Sequence, residues 1–469
     1  MKTTPQRYRD ARAGHARRPF RRPAGWALPL ALLLACFLLG PLPAKEPAPA
    51  KASTPAIFDQ IQEVIASLSE ITGFELRRRI EPEVIGRAEF QRFLDQRMRE
   101  EIDPEDIRIE ELLLKKFGFV PPDFNLRETM VALYTEQAAA FYDFRRRKLF
   151  MLDTDDTELQ EAAFVHELAH ALADQEFRLE KYLKRNAASD DGAMARMSVL
   201  EGQATWLMSE FSMKRMGISL VGSPEMANLL SRNMGDSTLD FPVLKNAPMY
   251  IRESLMFPYA SGLRFQQAVI DKLGKDGFAE VFRNPPDSTQ QILHPEKYFG
   301  RSAPEDLEMP RLRREGRYRK LAVGTLGEFD YAVLLRQFAD DDATRRLAPQ
   351  WRAGQYQLLE HKKDKRLVLI QASKWDTPGA AGQMARHLLG SLEKKWNRYE
   401  AGAAAPAGDG QTAGIGDDGH FLLLLAGRYV YLVEGMAAPD GVGRWPRRAT
   451  ASLGDQRAER RGESLAGLR

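Results

Sequence analysis

Residues 166–170 read His166-Glu167-Leu168-Ala169-His170, an H-E-x-x-H segment inside a helical pattern. In a helix this spacing puts both imidazoles on one face, one turn apart, where they can share a single metal ion. Leu159, Ala163, His166, Ala169, His170, Ala173 and Phe177 recur at three and four, so the histidines lie on the apolar stripe. Thr157-Glu158-Leu159-Gln160 reads as a capping-box start for that helix. If the pair holds a metal, a further ligand is expected to reach this helix face from another element.

Zinc-dependent hydrolysis needs three protein ligands and one position left for water. His166 and His170 supply two, and Glu167 is placed to act as general base on the zinc-activated water. The third ligand is expected from a separate element, and the candidate is Glu201, 31 residues after His170. It sits in a second helix predicted from about Met194 to Arg215 and stopped by Gly217. There Met197, Leu200, Ala204, Leu207, Met208 and Phe211 form an apolar stripe that includes Glu201. An unpaired buried carboxylate costs several kcal/mol, and binding a dication removes that cost. The plain alternatives are a pair of satisfied core histidines and a Glu201 solvated at the edge of its stripe.

The N-terminus reads as an export signal. Residues 1–44 carry a formal charge of +7, leaving −4 on the rest, which gives no electrostatic reason to expect nucleic acid. The basic stretch precedes an apolar run of 17 residues, Trp26–Leu42, with Pro43-Ala44 as a cleavage point. The run is short for a membrane span and is interrupted by Pro29, so cleaved export and retention as an N-terminal membrane anchor both stay open. The expected location is the periplasm or cell envelope. The single cysteine, Cys36, lies in that run, so the remainder has no disulfide, cysteine nucleophile or thiolate ligand.

The expected fold class is α+β: 1–44 signal or anchor, 45–55 linker, 56–305 a mainly helical domain with a small sheet, 310–436 a smaller ββαββ domain, and 437–469 a disordered tail. Within this scheme 56–100 read as helices and Lys148–Leu152 as a strand. Helix is expected near 260–274, 328–339 and 379–396, a Gly/Ala-rich loop over 401–419, and a hairpin from Phe421–Leu425 and Tyr429–Glu434. No P-loop, Rossmann fingerprint or G-x-S-x-G segment appears.

The stretch Val165-His-Glu-Leu-Ala-His-Ala-Leu-Ala-Asp174 resembles the gluzincins, zinc metallopeptidases whose third ligand is a glutamate on a following helix. Leu200-Glu-Gly-Gln-Ala-Thr205, Ala140-Phe-Tyr-Asp143 and Pro285–Tyr298 are similar to a group of exported bacterial gluzincin-like proteins. The resemblance implies a zincin-like domain acting on a peptide or protein substrate, with the strand Lys148–Leu152 bordering the cleft as an edge to which substrate adds. It also calls for a donor to the developing oxyanion. Tyr259 and His294 are the candidates, a packed tyrosine and a helix-end histidine being the alternatives. Gluzincins often carry an aspartate four residues after the third ligand to orient the first histidine, where this chain has Thr205. Asp174 could orient a histidine or be an exposed helix acid.

Overall fold

The structure, a computed structural model, describes residues 58–153, 157–184, 189–237, 241–402, 410–439 and 441–447. The fold is mixed α+β, with helices and a small sheet first and a large sheet after them. Three long helices position the site: the motif helix Thr157–Phe177, the carboxylate helix Asp190–Arg215 and a third helix, Met249–Leu273.

Two of these exceed their expected bounds. The carboxylate helix begins four residues before its apolar pattern does, because the Ser189 side chain accepts from the Gly192 N–H and Asp190 and Asp191 face the positive end of the helix dipole. The third helix, expected near 260–274, begins at Met249 and runs unbroken through Pro258. A proline there removes one backbone bond, and the helix is buried along most of its length, so packing outweighs the loss.

The small sheet has the order β1-β3-β2, formed by β1 (Glu81–Ile85), β2 (Ala140–Asp143) and β3 (Lys148–Leu152). β1 lies parallel to β3 and β2 antiparallel to it. The reading of 56–100 as helices throughout is therefore corrected. The helix Ile61–Thr72 ends at Gly73 in the left-handed region (φ 79°), and β1 intervenes before Arg87–Glu101. Pro82 and the exposed Val84 give β1 neither a helical stripe nor a clean alternation, so pairing with β3 decides its conformation.

Further strands are β4 (Arg311–Leu312), β5 (Tyr318–Thr325), β6 (Trp351–His361), β7 (Leu367–Trp375), β8 (Tyr399–Ala401), β9 (Gly410–Gly416), β10 (Gly419–Ala426), β11 (Tyr429–Met436) and β12 (Val442–Arg444). Seven of them form an antiparallel sheet in the order β5-β6-β7-β11-β10-β9-β8. The ββαββ reading captured β6, β7, the helix Pro378–Lys395, β10 and β11, and missed the outer strands. β9 lies in the segment expected to be a loop. Its glycines are there for close packing: a Cβ on Gly414 would stand 2.4 Å from the Phe421 ring, and one on Gly416 2.1 Å from the Trp396 ring.

Both faces of the central strands are apolar and both are covered. The helix Pro378–Lys395 lies on one face. On the other, Leu307, Met309, Leu312 and Trp445 close over Val368, Ile370, Leu422 and Tyr431. β12 pairs with β4 there, so residues 442–444, expected within a disordered tail, are a strand; 448–469 lie outside the described residues, as does the N-terminal signal. One hydrophobic core runs from Leu68, Phe164 and Trp206 among the helices to Leu321, Leu358 and Leu432 in the large sheet. No described helix is long and apolar enough to cross a membrane.

Candidate metal centre

The motif helix packs against the carboxylate helix and lays its histidine face toward it. His166 and His170 are set edge to face, with ring centroids 4.6 Å apart. Their Nε2 atoms are 3.0 Å apart, and Glu201 Oε2 lies 3.2 Å from the first and 3.3 Å from the second. Among the described residues this is the group of three possible metal-ligating side chains whose ligand atoms all lie within 4.8 Å of one another. It could hold a metal ion. All three are buried, at 4%, 1% and 1% exposure.

The donor set favours a cation over a purely structural hydrogen-bond cluster. Two imidazole nitrogens and a carboxylate oxygen direct lone pairs at one point, and the protons available to neutral imidazoles cannot satisfy all three contacts. Glu201 Oε1 has no hydrogen-bond partner, an orphaned acceptor in a buried position. Burial pushes the Glu201 carboxyl up, but the attraction of His170, with the hydrogen bonds from both imidazoles, outweighs it and holds the group at about 2. Burial lowers His166, which keeps the imidazole neutral and able to ligate.

Glu167 projects from the same helix toward the small sheet. It is fully buried, and its Oε2 accepts from the Tyr142 backbone N–H at 2.8 Å. Tyr142 lies on β2, the outer strand, so its outward N–H is not used in the ladder. Phe144, just beyond that strand, meets the His170 ring edge-on at 6.5 Å. From the third helix, Tyr259 stacks on His166 with ring centroids 6.1 Å apart. Phe144 was not singled out from sequence, and Tyr142 entered only within the segment Ala140-Phe-Tyr-Asp143, with no role of its own.

Two expectations are corrected. β3 cannot be the substrate-accepting edge, since β1 and β2 occupy both its sides; the strand that faces the centre is β2. Asp174 orients no histidine and is not exposed. It is 7% exposed, accepts from the Leu179 N–H at 2.8 Å, and takes the Tyr142 hydroxyl at 3.3 Å. His294 has acidic partners of its own, with Nε2 2.8 Å from Glu328 Oε1 and Nδ1 3.7 Å from Glu296 Oε1. Thr205 is buried with no partner on its hydroxyl, so it does not replace the orienting aspartate.

Compared with protein-family models, with curated proteins and with solved structures, the chain matches none.

Proposed function

We propose that this chain is an exported zinc-dependent peptidase of gluzincin type. The observation that carries the reading is the spacing of His166 Nε2, His170 Nε2 and Glu201 Oε2, 3.0 to 3.3 Å apart. Ligands about 2.0–2.1 Å from a tetrahedral zinc stand roughly 3.3 Å from one another. The set, two imidazoles and one carboxylate, suits zinc and leaves a fourth position for solvent or substrate.

A zinc ion there would supply Lewis acidity toward water and toward a peptide carbonyl. The chain's own residues supply the proton handling. Glu167, held by the Tyr142 N–H, accepts the proton of the attacking water and returns it to the leaving nitrogen. Tyr259, stacked on His166, is the better placed of the two donor candidates for charge developing on the carbonyl oxygen; His294, engaged with Glu328, is not. β2, rather than β3, runs beside the centre, where its Tyr142 N–H holds Glu167. The basic and apolar N-terminal segments support export to the periplasm or envelope, cleaved or anchored.

A second reading has its own observation. Glu167, His166, His170 and Glu201 are all at or below 4% exposure, and Thr205 orients nothing, which suits a zinc-stabilised envelope scaffold without turnover. Glu167→Gln separates the two. The peptidase loses hydrolysis of a peptide library while keeping its metal and fold; a scaffold shows no hydrolysis in either form.

A further inference from the structure

Away from the histidines, a cavity of about 50 Å³ lies where the carboxylate helix begins, between the helices and the large sheet. Glu110, Asp190, Asp191 and Asp330 line it, and the described residues around it include no lysine, arginine or histidine. These acids come from three helices: Glu110 from Pro104–Phe117, Asp190 and Asp191 from the first turn of Asp190–Arg215, and Asp330 from Glu328–Phe338. Their partners are neutral donors. Asp191 Oδ1 accepts from the Thr289 N–H at 3.0 Å and its hydroxyl at 2.5 Å. Asp330 accepts from the Tyr250 hydroxyl at 2.7 Å and the Gly327 N–H at 2.7 Å. Asp190 Oδ2 accepts from the Tyr356 hydroxyl at 2.9 Å. Asp191 is 4% exposed, and its second oxygen, Oδ2, has no partner.

Four acids lining one cavity with no basic side chain among them favour protonation or a bound cation. A cation would need several of their oxygens to converge, yet among the described residues three ligand atoms within 4.8 Å occur in the His166, His170 and Glu201 group. We infer that Asp191 and Asp330 form a proton-loaded latch that joins the Glu201-bearing helix, through Thr289, to the helix Glu328–Phe338, closed when both acids are neutral and loosened as they ionise.

The surrounding charges agree. Glu110, with Asp106 near it on the same helix, and Asp190 face Asp330, and Glu328 and Asp330 both act on Asp191. Arg196 donates to the Gly192 carbonyl at 3.5 Å, and His294 lies against Glu328. Burial, opposed by the Thr289 hydroxyl and reinforced by Asp330, pushes Asp191 up to about 7. Burial likewise pushes Asp330 up to about 6. The unfolded values lie near 3.9, so the folded form binds the extra protons between these limits. The latch's contribution is complete below about pH 4 and is lost as the pH rises through about 6 to 7.

The experiment is the thermal midpoint of the full chain across about pH 5 to 8, with and without Asp191→Asn and Asp330→Asn together. No metal or substrate enters it, so its outcome is separate from that of the peptidase reading. The wild type should melt at lower temperature at the alkaline end, and the double variant should flatten that slope and melt higher than wild type there. Parallel slopes overturn the latch. If the double variant does not fold, Asp330→Asn alone is compared with wild type by carboxyl infrared absorption. A protonated-carboxyl band that weakens in the variant at about pH 5 sustains the latch, and an unchanged band overturns it.

Discussion

Gly202 and Gly262 meet backbone to backbone where the carboxylate helix crosses the third helix. A Cβ on Gly202 would stand 2.2 Å from the carbonyl carbon of Gly262, and one on Gly262 would stand 2.2 Å from the Ser198 carbonyl oxygen. Glu201 is one residue from this crossing and Tyr259 one turn from it, so the contact sets the ligand and the stacked tyrosine relative to the histidines. Gly262→Ala forces the helices apart. It should cost about 1–3 kcal/mol or more of stability in denaturant unfolding. It should also weaken metal affinity, read by competition with a chromophoric chelator.

Glu167→Gln keeps the side chain's size and leaves an oxygen for the Tyr142 N–H. Turnover on a peptide substrate should fall roughly 10²–10⁴-fold, the range for losing one general base. Metal content and thermal midpoint should stay as in wild type.

Removing the metal should loosen the joint between the motif and carboxylate helices. At a free ion concentration a thousand times Kd, binding contributes about 4 kcal/mol. A chelator should therefore lower the thermal midpoint of wild type, and excess zinc should restore it. The same treatment should leave Glu201→Ala unmoved. In the metal-free protein the depressed Glu201 carboxyl adds stability that is present above its unfolded value near 4.3 and is lost as pH falls toward about 2.

Lys395 ends the helix Pro378–Lys395 and gives its ammonium to both oxygens of Glu434 on β11, at 2.7 and 2.9 Å, and to the Lys116 carbonyl. Glu434 is fully buried. Lys395→Met strands that carboxylate and should cost about 3–5 kcal/mol in equilibrium unfolding.

Sequence carried the centre well because its chemistry is local. His166 and His170 are fixed by helical periodicity, and Glu201 stood out as an acid inside an apolar stripe. What it carried less well depends on partners distant in the chain. β1 is a strand because β3 lies beside it, and β9 is glycine-rich because Phe421 and Trp396 press on it. Lys148–Leu152 was legible as a strand, but its central place in the small sheet was not, since a sheet's order is not written in any one strand. Tyr259 was legible as a residue and lies on His166 only because Gly202 and Gly262 let two helices touch. The neighbour of His294, Glu328, lies 34 residues along the chain, and nothing in the segment around His294 announces it.

The most direct test is elemental analysis of the purified protein beside Glu201→Ala, both dialysed against the same metal-free buffer. The account predicts one zinc per wild-type chain and its loss from a variant that remains folded. Wild type without stoichiometric metal, or a variant that retains it, would contradict the account.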